Sequence, residues 1–100
     1  MGMTPEGKIK KKLDKMLKSK EYLFSFPPQA GPFGSAGIPD RVVCCQGKFL
    51  GVECKADAKK PLTGLQLRAM RMIEAAGGAF FLVYDDVTIA EVEAWIDASS

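Results

Sequence analysis

The feature that most constrains this chain is the dipeptide Gln46-Gly47 between two apolar, strand-like runs, Asp40 to Cys45 (DRVVCC) and Lys48 to Lys55 (KFLGVECK). Two such runs around a two-residue, glycine-containing turn read as an antiparallel hairpin. With Gln46-Gly47 as the turn, Cys45 faces Lys48, and the numbers of paired residues sum to 93. Asp40 then falls opposite Glu53. In a strand pair, residues directly opposite share a face, with Cβ atoms about 4.5–5.5 Å apart. The register therefore predicts two carboxylates side by side, with Lys55 on the same face two residues beyond Glu53.

The remaining elements follow from pattern and caps. Thr4-Pro5-Glu6 reads as the N-cap and first turn of a helix from about Pro5 to Ser19. Its residues Ile9, Leu13, Met16 and Leu17 form one buried stripe. Glu6, seven positions before Leu13, lies on that same inward stripe. Glu21 to Phe26 predicts a strand closed by Pro27-Pro28, and Gln29 to Pro39 a loop rich in Gly and Pro. Thr63 to Ala76 predicts a helix with Thr63 as N-cap and Gln66 at the third helical position, ended by Gly77-Gly78. Ala79 to Tyr84 is apolar on both faces, which places it inside the sheet rather than at an edge. Thr88 and Glu91 read as a capping box for a last helix that buries Ile89, Val92 and Ile96, with Trp95 at the rim of its stripe as a subunit-interface candidate. The order is αβββαβα, an α/β fold in one domain spanning residues 1–100.

Composition excludes several classes of function. The apolar content of 47% and charged content of 26% are those of an ordinary globular domain. The longest apolar run, Ala79 to Tyr84, is far short of the ~20 residues of a membrane helix. The start, Met1-Gly2-Met3-Thr4-Pro5 and then lysines, lacks the apolar run of a signal peptide, so a cytoplasmic location is expected. The chain has no histidine, which excludes Ser-His-Asp and Cys-His nucleophilic machinery. Cys44, Cys45 and Cys54 have no zinc-ligand spacing, and neighbours in a strand point to opposite faces, so they read as small core residues in a reducing compartment. Catalysis, if present, runs on carboxylates, lysine or a hard metal ion. The net charge of +2 hides seven lysines between Lys8 and Lys20, a density that suits a polyanion but also suits a solvated helix face.

Like charges directly opposite each other destabilise a sheet, so Asp40 and Glu53 need a compensating cation. Lys55 provides one charge. A divalent ion with oxygen ligands, Mg²⁺ or Mn²⁺, would provide more, and such a site suits phosphodiester hydrolysis. Lys55 beside it could hold the attacking water or stabilise the phosphoryl group. The glycines of the preceding loop would let a nucleic-acid backbone come close.

Taken together, Gly37-Ile38-Pro39-Asp40, then Gly51-Val52-Glu53-Cys54-Lys55, then Leu65-Gln66 at a helix start, resemble the VRR-NUC branch of the PD-(D/E)XK nucleases. The resemblance runs from Glu6 to about Val83. It implies a restriction-endonuclease-like αβββαβ core, a mixed central sheet flanked by helices, here followed by a C-terminal helix. It further implies that Asp40 and Glu53 bind the metal through their side chains and Cys54 through its backbone carbonyl. Lys55 would be the catalytic lysine, and Gln66 would position the lysine, the water or the scissile phosphate. In relatives an acid of the first helix joins the site, and Glu6 is the candidate. The cofactor implied is Mg²⁺ or Mn²⁺, with no small organic cofactor. Small stand-alone members look like phage-encoded homodimeric endonucleases selective for DNA structure, some for four-way (Holliday) junctions, acting in the host cytoplasm. Cys54 stands where a hydrophobic residue is commoner, but the position contributes only its carbonyl.

The plainer readings stay beside these. Gln66 also suits a capping box, and Glu6 also suits a helix-dipole acid. Lys8, Lys11, Lys12, Lys15 and Lys18, with Ser35 and Gly37 of the loop, are candidate nucleic-acid contacts. A non-catalytic nucleic-acid-binding module of the same fold, and an RNA or single-strand nuclease, are the alternative functions.

Overall fold

The structure is a computed structural model that describes residues 2–29 and 37–99. Its elements are α1 (Pro5–Lys18), β1 (Leu23–Phe26), β2 (Arg41–Cys45), β3 (Lys48–Cys54), α2 (Gly64–Ala75), β4 (Ala79–Val83) and α3 (Asp86–Ala98). The strands form one mixed sheet in the order β1-β2-β3-β4. The first three are antiparallel to one another, and β4 runs parallel to β3 after the crossover through α2. No described helix is long and apolar enough to cross a membrane.

The hairpin forms as its turn demands. Gln46 and Gly47 have φ of 54° and 79°, the two left-handed residues that match the twist of the flanking strands. Arg41 pairs with Val52 and Cys45 with Lys48, the expected register. Thr4 caps α1, accepting a hydrogen bond from the Gly7 N–H at 3.1 Å, and Pro5 occupies the first turn.

Period-2 alternation then splits the sheet into two unlike faces. On one, Val43, Leu50, Val52, Cys54 and Val83 pack against Ile9, Leu13 and Leu17 of α1 and Ile89, Val92 and Ile96 of α3. Cys45 is buried there, whereas its neighbour Cys44 is exposed on the other face. That other face carries Phe24, Phe26, Phe49, Gly51 and Glu53, and α2 covers only part of it. Gly51 is where α2 comes near, since a Cβ there would lie 2.9 Å from Pro39 Cγ and 3.1 Å from Ile73 Cδ1.

Three expectations are corrected. β4 is an edge strand in the described sheet, not an internal one. It is apolar on both sides because helices lie over both: Phe81 meets Trp95 of α3 edge-on at 6.4 Å, while α2 flanks the opposite face. Trp95 thus packs inside the chain, against the core. The last helix starts at Asp86 with Asp85 as N-cap; the Asp85 carboxylate accepts from the Thr88 N–H at 2.8 Å, so Thr88 is the third helical residue of the box and not its cap. β1 begins at Leu23, because Tyr22, with φ of 57°, breaks the extended chain before it.

Candidate active site

Asp40 lies one residue before β2, held in place by the proline ahead of it and by the strand behind it. Past the end of the β2 ladder its side chain replaces a backbone partner: Asp40 Oδ2 accepts from the Cys54 N–H at 2.8 Å. Arg41 anchors the same point from the core side. Its guanidinium donates to both carboxylate oxygens of Asp14 on α1, at 2.8 and 2.9 Å, and to the Asp40 carbonyl at 2.7 Å. A forked, half-buried pair of this kind fixes direction as well as distance, so it ties the backbone that carries Asp40 to the first helix.

Glu53, next to last in β3, is only 3% exposed. Its carboxyl lies within hydrogen-bonding reach of Asp40, while Oε2 is buried with no partner among the described residues. Burial pushes the Glu53 carboxyl up to about 9, helped by the hydrogen bond to Asp40 and by the charges of Asp40 and Glu6, with Lys55 pulling the other way. Asp40 goes the opposite way. Burial works to raise it, but the hydrogen bond from Glu53, the Cys54 N–H and the Lys10 ammonium outweigh burial and hold it below the usual carboxylate value. The two acids therefore share a proton carried on Glu53, as close carboxylates in a low-dielectric site do.

Cys54 turns its side chain into the core, fully buried, and burial followed by the charge of Asp40 pushes its thiol up to about 12. The thiol lies in the core on the face opposite Glu53, so only the backbone of Cys54 is placed to contribute. In a strand the N–H and C=O of one residue point to the same side. Since the Cys54 N–H points to Asp40, its carbonyl opens toward Asp40 as well. Lys55 continues the face of Glu53, half-buried, with its N–H donating to the Val83 carbonyl at 2.9 Å.

The expected residues are brought together unequally. Asp40, Glu53, the Cys54 backbone and Lys55 converge. Glu6 reaches the group through a residue that the sequence reading overlooked: Lys10 Nζ is 3.2 Å from Glu6 Oε2 and 3.6 Å from Asp40 Oδ1. Burial alone would lower the Lys10 ammonium, but the charges of Asp40 and Glu6 and their hydrogen bonds raise it instead. The available signal was the i,i+4 spacing of Glu6 and Lys10, which marks an ion pair. Gln66 forms the expected capping box, its Oε1 accepting from the Thr63 N–H at 2.9 Å, and among the described residues no hydrogen bond joins it to the carboxylates. Gly37 has a structural use. With φ of 83°, a Cβ there would lie 2.5 Å from the Leu65 carbonyl carbon and 2.8 Å from the Gln66 nitrogen, so the glycine makes room for the start of α2. Ser35 lies outside the described residues.

Among the lysines of α1, Lys8, Lys11, Lys15 and Lys18 are exposed, and Lys12 is paired with Asp86 at 3.0 Å. Among the described residues no three Asp, Glu, Cys or His side chains converge as a ready metal cage. The donor set is two carboxyls and a carbonyl, with Glu6 held off by Lys10. The buried Oε2 of Glu53, without a partner among the described residues, fits a cation that would take the place of the carboxyl's proton. A groove of about 590 Å³ between α2 and the sheet is lined by Ile38, Pro39, Val42, Phe49, Leu65 and Met72 among others; it borders the site at Pro39 but is not lined by the acids.

No protein-family model matches the sequence, and no curated protein matches it. A solved structure described as a "VRR_NUC domain" is similar in three dimensions, with a TM-score of 0.78, 21% identity, and coverage of 90% of this chain and 95% of that one. The mixed four-stranded sheet with its flanking helices thus has the fold of that domain.

Proposed function

We propose that a chain with this fold and this carboxylate pair is a metal-dependent endonuclease that hydrolyses DNA phosphodiester bonds, with branched DNA such as four-way junctions as its preferred substrate. The observation that carries the reading is the Asp40–Glu53 pair, in which a nearly fully buried carboxyl has an oxygen with no partner among the described residues. A fold alone does not imply an activity, so the reading rests on the site.

Asp40, Glu53 and the Cys54 carbonyl would hold Mg²⁺ or Mn²⁺, with Glu6 as a further oxygen donor. The ion, when bound, supplies positive charge at a phosphoryl oxygen and makes water a better nucleophile. Glu53 must give up its proton for its carboxylate to serve as a ligand. Lys55, on the same face, orients the attacking water and neutralises charge that builds on the phosphoryl oxygens as the P–O bond breaks. Gln66 steadies the start of α2 and so acts on the site by position. Lys8, Lys11, Lys15 and Lys18 present an exposed basic surface for the phosphates of the substrate. A homodimer, which would offer two sites to two strands, is supported by the uncovered apolar residues Phe24, Phe26, Phe49 and Met72, 67%, 43%, 43% and 61% exposed.

The test is cleavage of labelled four-way junction, flap, duplex and single-stranded DNA, and of RNA, with Mg²⁺, Mn²⁺ or chelator. Asp40→Ala and Lys55→Ala are each expected to lower the rate on the order of 10²–10³-fold or more. Among the described residues no three ligating side chains already converge on one point, which favours one rival, a nucleic-acid-binding module without catalysis. Binding that persists with no cutting of any substrate by the wild type would establish that rival.

A further inference from the structure

We propose that Lys10 is a resident counter-cation of this site, whose ammonium takes up the Glu6 and Asp40 oxygens in the metal-free protein and must leave them for a divalent ion to bind. The inference rests on the metal-site reading above and adds to it a competitor built into the chain.

Position comes first. Glu6 and Lys10 lie one turn apart on α1, and a pair at that spacing is commonly a surface ornament worth a few tenths of a kcal/mol. Lys10 does more than pair locally, since the same Nζ also faces Asp40, far off in sequence, at 3.6 Å. Its side chain is 32% exposed, so the ammonium is drawn partly out of water into the group of carboxyls. The second observation is Glu53, 3% exposed, whose Oε2 has no partner among the described residues. Lys10 answers Glu6 and Asp40 and leaves Glu53 unanswered, which is how a monovalent stand-in differs from an ion that takes several oxygens at once.

Charge explains why the arrangement would switch. With the proton on Glu53, the carboxylates of Glu6 and Asp40 balance Lys10 and Lys55, and a divalent ion that displaces that proton leaves a single positive charge. Two cations cannot share the oxygens of Glu6 and Asp40 without repulsion, so Lys10 must swing out. A flexible four-carbon stem allows this and frees the ammonium to pair with a phosphate instead. Metal and nucleic acid would in this way favour each other's binding.

The test is Mn²⁺ titration of the metal-free, full-length protein, followed by electron paramagnetic resonance without nucleic acid, for wild type, Lys10→Met, Lys10→Arg and Lys11→Met. Methionine keeps most of the stem and removes the charge, arginine restores it, and the exposed Lys11 reports the general field of the helix. The expected result is Mn²⁺ binding about 10-fold tighter in Lys10→Met, a change of about 1.4 kcal/mol, with Lys10→Arg close to wild type and Lys11→Met shifted much less. Equal or weaker binding in Lys10→Met, or an equal gain in Lys11→Met, overturns the inference and leaves the nuclease reading standing if the wild type binds Mn²⁺ and cuts. No Mn²⁺ binding by any of the four proteins overturns both. Circular dichroism of Lys10→Met and Lys10→Arg checks that each variant is folded before it is titrated.

Discussion

The two faces of the sheet are built to different standards. Against α1 and α3, Leu13, Val43, Leu50, Val52, Val83 and Val92 are all fully buried. Against α2 the packing is loose: no residue of that helix is fully buried, Met72 is 61% exposed, and the cross-strand row Phe24, Cys44 and Phe49 is largely open. The acids and Lys55 stand at the end of the loose face, anchored to the tight one through Arg41 and Asp14. The chain concentrates its stability on one side and leaves the other open, a division that a thin core of this size imposes.

The sharpest way to break that contrast is to truncate neighbouring residues of β3. Leu50→Ala on the tight face is expected to cost about 2–5 kcal/mol by urea unfolding. Phe49→Ala, one residue earlier on the loose face, is expected to cost under about 1 kcal/mol. Similar losses for the two would mean that α2 carries as much of the core as α1 and α3.

A smaller effect concerns the proton on Glu53. Burial raises this carboxyl from 4.5 to about 9, so the folded chain keeps a proton that the unfolded chain loses above 4.5. Its contribution to stability is fully present below 4.5 and fades as pH climbs toward about 9. Asp40, held low, has the opposite sign: its contribution is present above 3.8 and is lost as pH falls through its lowered value. In chelator, then, the wild type should lose stability between about pH 5.5 and about pH 8.5, and Glu53→Gln, which cannot ionise, should lose clearly less. Parallel profiles for the two proteins would show that Glu53 is not the proton holder.

The smallest expected change tests the seam between the faces. Gly37→Ala should destabilise by about 1 kcal/mol or more, because it strains a left-handed residue and pushes a Cβ into the first turn of α2. Thermal unfolding reads it directly, and an unchanged midpoint would mean that α2 simply shifts aside.

Much of the candidate site was legible before the structure. The Gln46-Gly47 turn and strict alternation along β2 and β3 dictate which residues face each other, and Asp40 beside Glu53 follows. The caps of α1 and α2 were equally local and equally readable. Lys10 was not, because its second partner, Asp40, lies outside the reach of any helical periodicity. Arg41 and Asp14 escaped for the same reason. Asp85 displaced Thr88 as the cap of α3 because both are good capping residues, and only the backbone at Asp85, with φ of −159°, says which one leaves the helix.

Local pattern was enough for the elements, the hairpin register, the pairing of the acids and the opposite facing of Cys44 and Cys45, since each depends on the geometry of a few adjacent residues. The edge position of β4, the partial cover given by α2, the work of Gly37 and the cation between Glu6 and Asp40 were settled only when distant segments packed. Those features are set by where the buried area of one element meets another, a long-range balance that no short stretch of chain contains.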